Sequence, residues 1–111
     1  MHSPAATIRD VSSDEGIAAF IAARLDEDEA AAETWREHDL RPLREVAAGR
    51  ALLDLYDRAA RYRGQVFAQQ PPRSVSDEMR AVTQMMALEQ VLKLRAAVYS
   101  DHPDYDPDWK P

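Results

Sequence analysis

Residues 46–66 read VAAGRALLDLYDRAARYRGQV, and apolar side chains recur along this stretch at the spacing of an α-helix. They fall into two rows: Val46, Gly49, Leu53, Tyr56 and Ala60 form one, and Leu52, Leu55, Ala59, Tyr62 and Val66 form the other. A helix with two apolar rows buries surface against two neighbours. The stretch therefore predicts the central helix of an all-α bundle.

A helix before this stretch is predicted over residues 12–37. The pattern Ser12-Ser13-Asp14-Glu15 is a capping box, which marks a helix start. The apolar side chains that follow at helical spacing are Ile17, Ile21, Leu25, Ala32 and Trp35, with Phe20 on the flank. The central helix is predicted over residues 40–67, because Asp39 can cap its first turn and Pro42 is tolerated there.

A third helix is predicted over residues 74–100, after a linker at residues 68–73 in which Pro71-Pro72 stops the preceding helix. It carries two apolar rows: Met85, Leu88, Leu92, Ala96 and Tyr99, and separately Val75, Met79, Val82 and Met86. Short connections favour antiparallel neighbours. We therefore predict a three-helix up-down-up bundle that forms one domain over residues 1–111, with residues 1–11 as a flexible N-terminal arm.

Residues 101–111 form a tail that cannot continue the third helix, because three prolines interrupt it. Tyr105 and Trp109 in this tail carry apolar surface that needs cover. In an up-down-up bundle the first and third helices end at the same pole. We therefore predict that the extended, proline-rich tail packs at that pole, over Trp35 and Tyr99.

Charge is divided by segment in this acidic chain, whose net charge is −6. Residues 10–39 hold ten acidic residues and two arginines, residues 41–63 hold six arginines and three acids, and residues 101–111 hold four aspartates and one lysine. The simplest interpretation is that the acidic and basic helices are antiparallel neighbours whose side chains pair. We do not expect direct nucleic-acid binding, because phosphate binding needs positive surface that nearby acids leave free.

The chain contains no cysteine, which excludes disulfides, thiolate metal sites and thiol catalysis. No stretch approaches the roughly 18 apolar residues of a membrane span, and residues 1–7 lack the charged and apolar blocks of a signal peptide. We therefore expect a cytoplasmic protein that does not insert into membranes.

A carboxylate lies within the apolar face of the first helix, where it is costly unless it is paired. This residue is Asp28, and Arg24 lies one turn earlier. Arg95 interrupts the apolar row of the third helix at a similar height. We predict a buried charge pair between Asp28 and Arg95, with Arg24 as the alternative partner.

A second set of charged residues is predicted to meet at the shared pole and consists of His38, Asp39, Asp101, His102 and Asp104. Imidazole and carboxylate groups together are compatible with a divalent metal. The sequence contains no paired histidine motif, however, and a histidine at a helix C-terminus also complements the helix dipole. We therefore predict no metal and no other cofactor.

Two acidic pairs one helical turn apart, Asp26 with Glu29 and Asp54 with Asp57, resemble the Mg²⁺-binding helices of all-α nucleotide pyrophosphohydrolases. Arg58 and Arg61 stand four residues after Asp54 and Asp57 and can neutralise the second pair. A magnesium-dependent hydrolase is therefore an alternative, whereas the prediction is a protein without enzymatic activity.

The apolar row Val75, Met79, Val82 and Met86 has spacings of four, three and four residues, which is typical of one helix packing along another. Methionine adapts to irregular partner surfaces. The row is either buried within the monomer or binds a second copy or a partner protein.

Several segments together resemble a family of short proteins of unknown function from actinobacteria and their phages. These segments are Leu25-Asp26-Glu27-Asp28-Glu29, His38-Asp39, Leu43-Arg44-Glu45-Val46, Leu53-Asp54 and Tyr99-Ser100-Asp101-His102-Pro103-Asp104-Tyr105. The resemblance implies a bacterial or phage accessory protein in the cytoplasm, and it implies no catalytic residue.

These observations lead us to predict a small, non-enzymatic helical protein that mediates protein–protein interaction as a homodimer or with a partner. The predicted docking residues are Val75, Met79, Val82 and Met86 on the third helix, and Trp35, Tyr99, Tyr105 and Trp109 at the pole. A further alternative is an acidic mimic of DNA, which would inhibit a DNA-binding protein through the carboxylates of the first helix and the tail.

Overall fold

The computed structural model describes residues 13–69 and 74–111, and these residues form three α-helices. The helices are α1 over Ser13–Glu33, α2 over Arg41–Ala68 and α3 over Val75–Ala96, followed by the short 3₁₀ helices Ala97–Tyr99 and Pro107–Trp109. The described part of the chain contains no β-strand. The predicted all-α three-helix fold is confirmed.

Contacts between the helices establish the up-down-up order. Leu25 in the middle of α1 lies against Gly49 in the first half of α2, and Arg50 binds Asp26 of α1. At its other end α2 shares a groove with the start of α3, since Phe67 and Met79 line the same groove. α2 is therefore antiparallel to both α1 and α3.

Helix α1 ends at Glu33, four residues before the predicted boundary. The Thr34 hydroxyl donates a hydrogen bond to the Ala31 carbonyl at 2.6 Å, and the amides of Thr34 and Trp35 reach back only three residues. These shorter bonds replace the α-helical pattern and turn the chain. Trp35 therefore lies beyond α1, in the turn that leads to α2.

The other helix starts agree closely with the sequence signals. The N-cap of α2 is Leu40, which provides no side-chain cap, so the predicted cap at Asp39 lies one residue too early. Asp39 nevertheless accepts a hydrogen bond from the Arg41 backbone amide at 3.0 Å, and Pro42 lies in the first turn of α2. Ser74 caps α3 by accepting a hydrogen bond from the Asp77 amide at 3.3 Å. The predicted capping box at Ser12, the arm over residues 1–11 and residues 70–73 of the linker lie outside the described residues.

The core contains side chains from all three helices and from the tail. Its buried members are Ile17, Phe20, Ile21, Leu25, Val46, Leu92, Ala96 and Trp109. Gly49 allows α1 to approach α2 closely, because a Cβ atom at this position would lie only 2.8 Å from Leu25 Cδ2. None of the described charged or polar residues is buried.

The end of α2 packs against the start of α3, with Met79 and Val82 near Phe67. If residues 25 and 49 are level, an antiparallel arrangement places Ser13, the first described residue of α1, level with about residue 61 of α2. Phe67 therefore lies beyond the described part of α1. We call this end of the helix pair the tip.

Candidate interaction surfaces

The tail folds back along α1, and Phe20 is the centre of its contacts. The ring centroid of Phe20 lies 6.1 Å from Tyr99, 5.6 Å from His102, 6.1 Å from Tyr105 and 5.2 Å from Trp109. Trp109 is only 5% exposed, and its ring lies close to Gly16 near the start of the described part of α1. The tail thus acts as a fourth element that covers the first half of α1.

Arg24 joins the helix to the tail through its guanidinium group. Arg24 Nη1 donates to His102 Nδ1 at 3.2 Å, and the Asp104 backbone amide donates to the same nitrogen at 3.0 Å. Arg24 also lies over the Phe20 ring. It forms an ion pair with Glu27 in which Nη2 donates a hydrogen bond at 3.5 Å, while Nε lies 2.8 Å from the other carboxylate oxygen without hydrogen-bond alignment. Because two donors occupy Nδ1 of His102, this nitrogen accepts and has no lone pair left for a metal.

The predicted cluster at a shared pole is wrong. Trp35 is 63% exposed and its ring contacts His38, while Asp39 is bound to Arg41. Hydrogen bonds from the Arg41 side chain and amide lower the pKa of Asp39. His102 instead lies beside Phe20, about four turns before Trp35 along the chain. The tail therefore does not pack over Trp35.

The weak metal candidates separate for the same reason. His38 and Asp39 belong to the turn after α1, whereas Asp101 and His102 start the returning tail. Within residues 13–69 and 74–111 no three histidine, aspartate or glutamate side chains come together as a metal site.

The predicted buried pair of Asp28 and Arg95 is also wrong. Asp28 is exposed, and it accepts a hydrogen bond from the Tyr99 hydroxyl at 2.6 Å. Burial of the phenol, this hydrogen bond and the charge of Asp28 together raise the pKa of Tyr99 to about 12. Arg95 lines the same groove as Asp28 and Trp35, but its buried Nε has no hydrogen-bond partner in the described chain.

The acidic residues of α1 are largely paired, and the predicted charge pairing of α1 with α2 is confirmed. Arg50 Nη2 lies 2.9 Å from both Asp26 and Glu29, and these carboxylates raise the pKa of Arg50. Glu33 pairs with Arg36. A DNA mimic needs carboxylates that are free to bind a basic protein, so these contacts give that alternative little support.

The acidic pairs that resemble a magnesium site are similarly engaged. Arg50 spans Asp26 and Glu29, and Arg61 binds Asp57 at 2.7 Å. Asp26, Glu29 and Asp57, three of the four carboxylates in these pairs, therefore have a cationic neighbour, and the contacts give the hydrolase alternative little support.

The methionine face consists of Val75, Met79, Val82 and Met86. Met79 is 65% exposed and Met86 is 61% exposed, and Val75 and Val82 are exposed as well. Helix α3 instead turns a different row towards its neighbours, since Ala81, Met85, Leu92 and Ala96 are buried. The sequence left two alternatives open, burial of this face within the monomer or binding of another chain. In the described residues the face is not buried.

A second exposed apolar row on α3 escaped the sequence analysis. It contains Ala87, Val91 and Leu94 of α3 and Val98 of the following 3₁₀ helix, again with spacings of four, three and four residues. The row could have been found from this spacing, but neighbouring residues had already been assigned to two buried faces. Its first member, Ala87, lines a groove formed with Leu55 and Tyr62 of α2.

The fold and its contacts define a small all-α protein whose first helix is covered by a returning aromatic tail. The chain belongs to DUF6221, a family of unknown function, whose model matches residues 13–111. This confirms the resemblance to a family of unknown function, while the actinobacterial and phage origin stays a prediction. No curated protein matches the chain at a significant level, and no solved structure does. None of the described helices is both long enough and apolar enough to cross a membrane.

Proposed function

We propose that this protein is a non-enzymatic interaction protein that self-associates through the methionine face. The observation that carries the proposal is the exposure of Val75, Met79, Val82 and Met86. Phe67 of α2 is also exposed and extends this apolar surface across the tip. Soluble monomers rarely expose a contiguous apolar patch of this kind.

The chemistry of the face favours a second copy as its occupant. A symmetric dimer places the same surface of each subunit against the other, so like charges in that surface would repel. Thr83 flanks the row on one side and is uncharged, whereas Glu78 flanks it on the other side and lines the same groove as Met79 and Val82. When two copies pair antiparallel about the middle of the row, Glu78 of one copy stands opposite Thr83 of the other and not opposite its own counterpart. The Glu78 carboxylates are therefore kept apart, and the spacing of the row suits helix-to-helix packing.

The test introduces charge into the methionine face without disturbing the core. Met79→Asp with Met86→Asp is expected to convert the dimer into a monomer, because each buried aspartate would lose its hydration without gaining a partner. Light scattering coupled to size exclusion measures the mass, and circular dichroism checks that helicity is retained. Both methionines are exposed in the monomer, so its stability should change little.

Ser76→Asp with Gln84→Asp is the matched control, since it adds the same two charges to exposed positions on another side of α3. The control protein should keep the dimer mass. A wild-type protein that is monomeric at high concentration, or two double variants with equal mass, would contradict the proposal.

The biological setting is part of the same proposal. The family is of unknown function, and the resemblance to short actinobacterial and phage proteins supports an accessory or regulatory role in the cytoplasm. A dimeric accessory protein of this kind would present two copies of every other surface to its partners.

A further inference from the structure

A groove lies on the side of the helix pair α2–α3 that faces away from α1. Val46 of α2 packs into the core with α1, and Leu55 stands nine residues later, which is half a turn around the helix. The groove is lined by Leu55, Arg58, Ala59 and Tyr62 from α2, and by Arg80, Gln84, Ala87 and Leu88 from α3. No described residue of α1 or of the tail lines it.

Beyond the groove, exposed apolar side chains continue along α3 and into the 3₁₀ helix that follows it. Ala87, which lines the groove, begins a row that proceeds through Val91, Leu94 and Val98, and Leu94 and Val98 are 60% and 64% exposed. From Arg80 to Val98 the surface extends over 18 residues, or roughly 27 Å if helical. It is therefore long enough to receive a helix of about five turns.

Two arginines at the edges of the groove have no acidic partner among the described residues. Arg58 and Arg80 line it from opposite helices, and neither forms an ion pair with any described residue. Arg61, one turn from Arg58, differs because it is bound to Asp57. On a protein with a net charge of −6, unpaired positive charge beside apolar surface is a distinct local feature.

We propose that this arginine-flanked groove binds an amphipathic helix of a partner protein, with apolar residues on one face and aspartate or glutamate along its edges. The apolar floor takes the apolar face, and Arg58 and Arg80 attract the acidic edges. A second copy of this chain is a poorer occupant. Its own acidic helix α1 already buries its apolar side chains, and face-to-face packing would bring two positive edges together.

The inference goes beyond the proposed self-association, because it concerns the opposite side of the same helix pair. The probe is a synthetic peptide of about 18 residues, or about five helical turns, with leucine at heptad positions a and d and glutamate at e and g. A second peptide with lysine in place of glutamate is its partner probe. Binding of each to the full-length protein is measured by fluorescence anisotropy and calorimetry.

The glutamate peptide is expected to bind, and the lysine peptide to bind at least about tenfold more weakly. Arg58→Glu with Arg80→Glu should reverse this order of preference. Arg36→Glu with Arg61→Glu changes the net charge equally at exposed positions outside the groove, and it should leave the preference unchanged.

Failure of this inference is distinguishable from failure of the proposed dimer. The variant Met79→Asp with Met86→Asp should still bind the glutamate peptide, and Arg58→Glu with Arg80→Glu should keep the dimer mass. The groove proposal is overturned if neither peptide binds, if both bind equally, or if the control arginine variant loses binding as much as the groove variant does. Loss of glutamate-peptide binding in the methionine variant alone would instead place the acidic helix on the methionine face.

Discussion

Replacing Gly49 by alanine tests the closest approach between α1 and α2. The new methyl carbon would lie 2.8 Å from Leu25 Cδ2 and 3.1 Å from Cδ1, and 3.4 Å from Arg95 Nη2. Leu25 is fully buried, so its methyl groups have no solvent to move into. A side chain at this position therefore forces the two helices apart or pushes Leu25 out of its rotamer.

Two opposing effects set the magnitude for Gly49→Ala. Alanine in a helix interior is favoured over glycine by about 1 kcal/mol. Overpacking a filled core costs about 1–3 kcal/mol. The contact under 3.0 Å involves a buried side chain, so we expect the upper part of that range. The free energy of unfolding should fall by about 1–2 kcal/mol.

Gly64→Ala is the matched control within the same helix. A Cβ atom at Gly64 meets nothing within 4 Å, so only the helix-propensity gain remains. This variant should be more stable than the parent protein by about 0.5–1 kcal/mol. The same chemical change thus acts with opposite sign at two positions of α2.

Urea unfolding followed by far-ultraviolet circular dichroism measures both free energies, at one fixed protein concentration because association also affects stability. If Gly49→Ala stabilised the protein as much as Gly64→Ala, Leu25 would not be packed against Gly49. That outcome would refute the α1–α2 register described above.

Three further changes test the tail, the Tyr99 contact and the cap of α3. Trp109→Ala should lower the free energy of unfolding by about 3 kcal/mol or more, because the ring is buried, whereas Trp35→Ala should lower it by under about 0.5 kcal/mol. Urea unfolding compares the two variants, and equal losses of stability would contradict the position of the tail. The fold raises the pKa of Tyr99 to about 12. The contribution of Tyr99 to the free energy of unfolding is therefore complete below the usual phenol pKa near 10 and is lost as the pH rises through about 12. Tyr99→Phe should flatten that alkaline loss, and Asp28→Asn should lower the pKa seen in a phenol absorbance titration; unchanged curves would argue against the contact. Ser74→Ala should cost about 0.5–2 kcal/mol through loss of the cap, and unfolding midpoints that do not move would count against it.

The helices themselves were predictable because their signals are local. Two apolar rows on α2 require two neighbours, and Val46 and Val66 are indeed buried. The cap at Ser74 and the proline at position 42 act within one turn of their own helix, so no tertiary information is needed to interpret them. The same is true of the buried row of α3, which includes Met85 and Leu92.

The path of the tail was not predictable from the sequence. Its aromatic side chains indicate that the tail packs against the helices, but they do not indicate which helix it follows. Backbone hydrogen bonds from the His102 amide to Tyr99 and from the Tyr105 amide to His102 turn the chain back beside α1. The return brings Trp109 onto Phe20, whose position on the flank of α1 leaves its ring open to the tail. The helical spacing placed Phe20 at the edge of the apolar face of α1, whereas in the structure its ring lies at the centre of the contacts with the returning tail.

The prediction for Asp28 was wrong because only arginines were considered as its partners. The helical wheel placed its carboxylate near apolar side chains and sought an arginine to neutralise it. A tyrosine hydroxyl at the end of α3 supplies the hydrogen bond, and the carboxylate keeps its contact with water. An exposed acid at the rim of a core needs no counter-charge.

The different surroundings of Gly49 and Phe67 imply that α2 should show two regimes of amide hydrogen exchange. Near Gly49 the α2 backbone lies under α1, so its deuterium uptake should await cooperative opening of the whole molecule. Near Phe67, where the side chain is exposed, uptake should follow fraying of the tip alone. Slower labelling confined to this end in concentrated samples would then report assembly without any mutation.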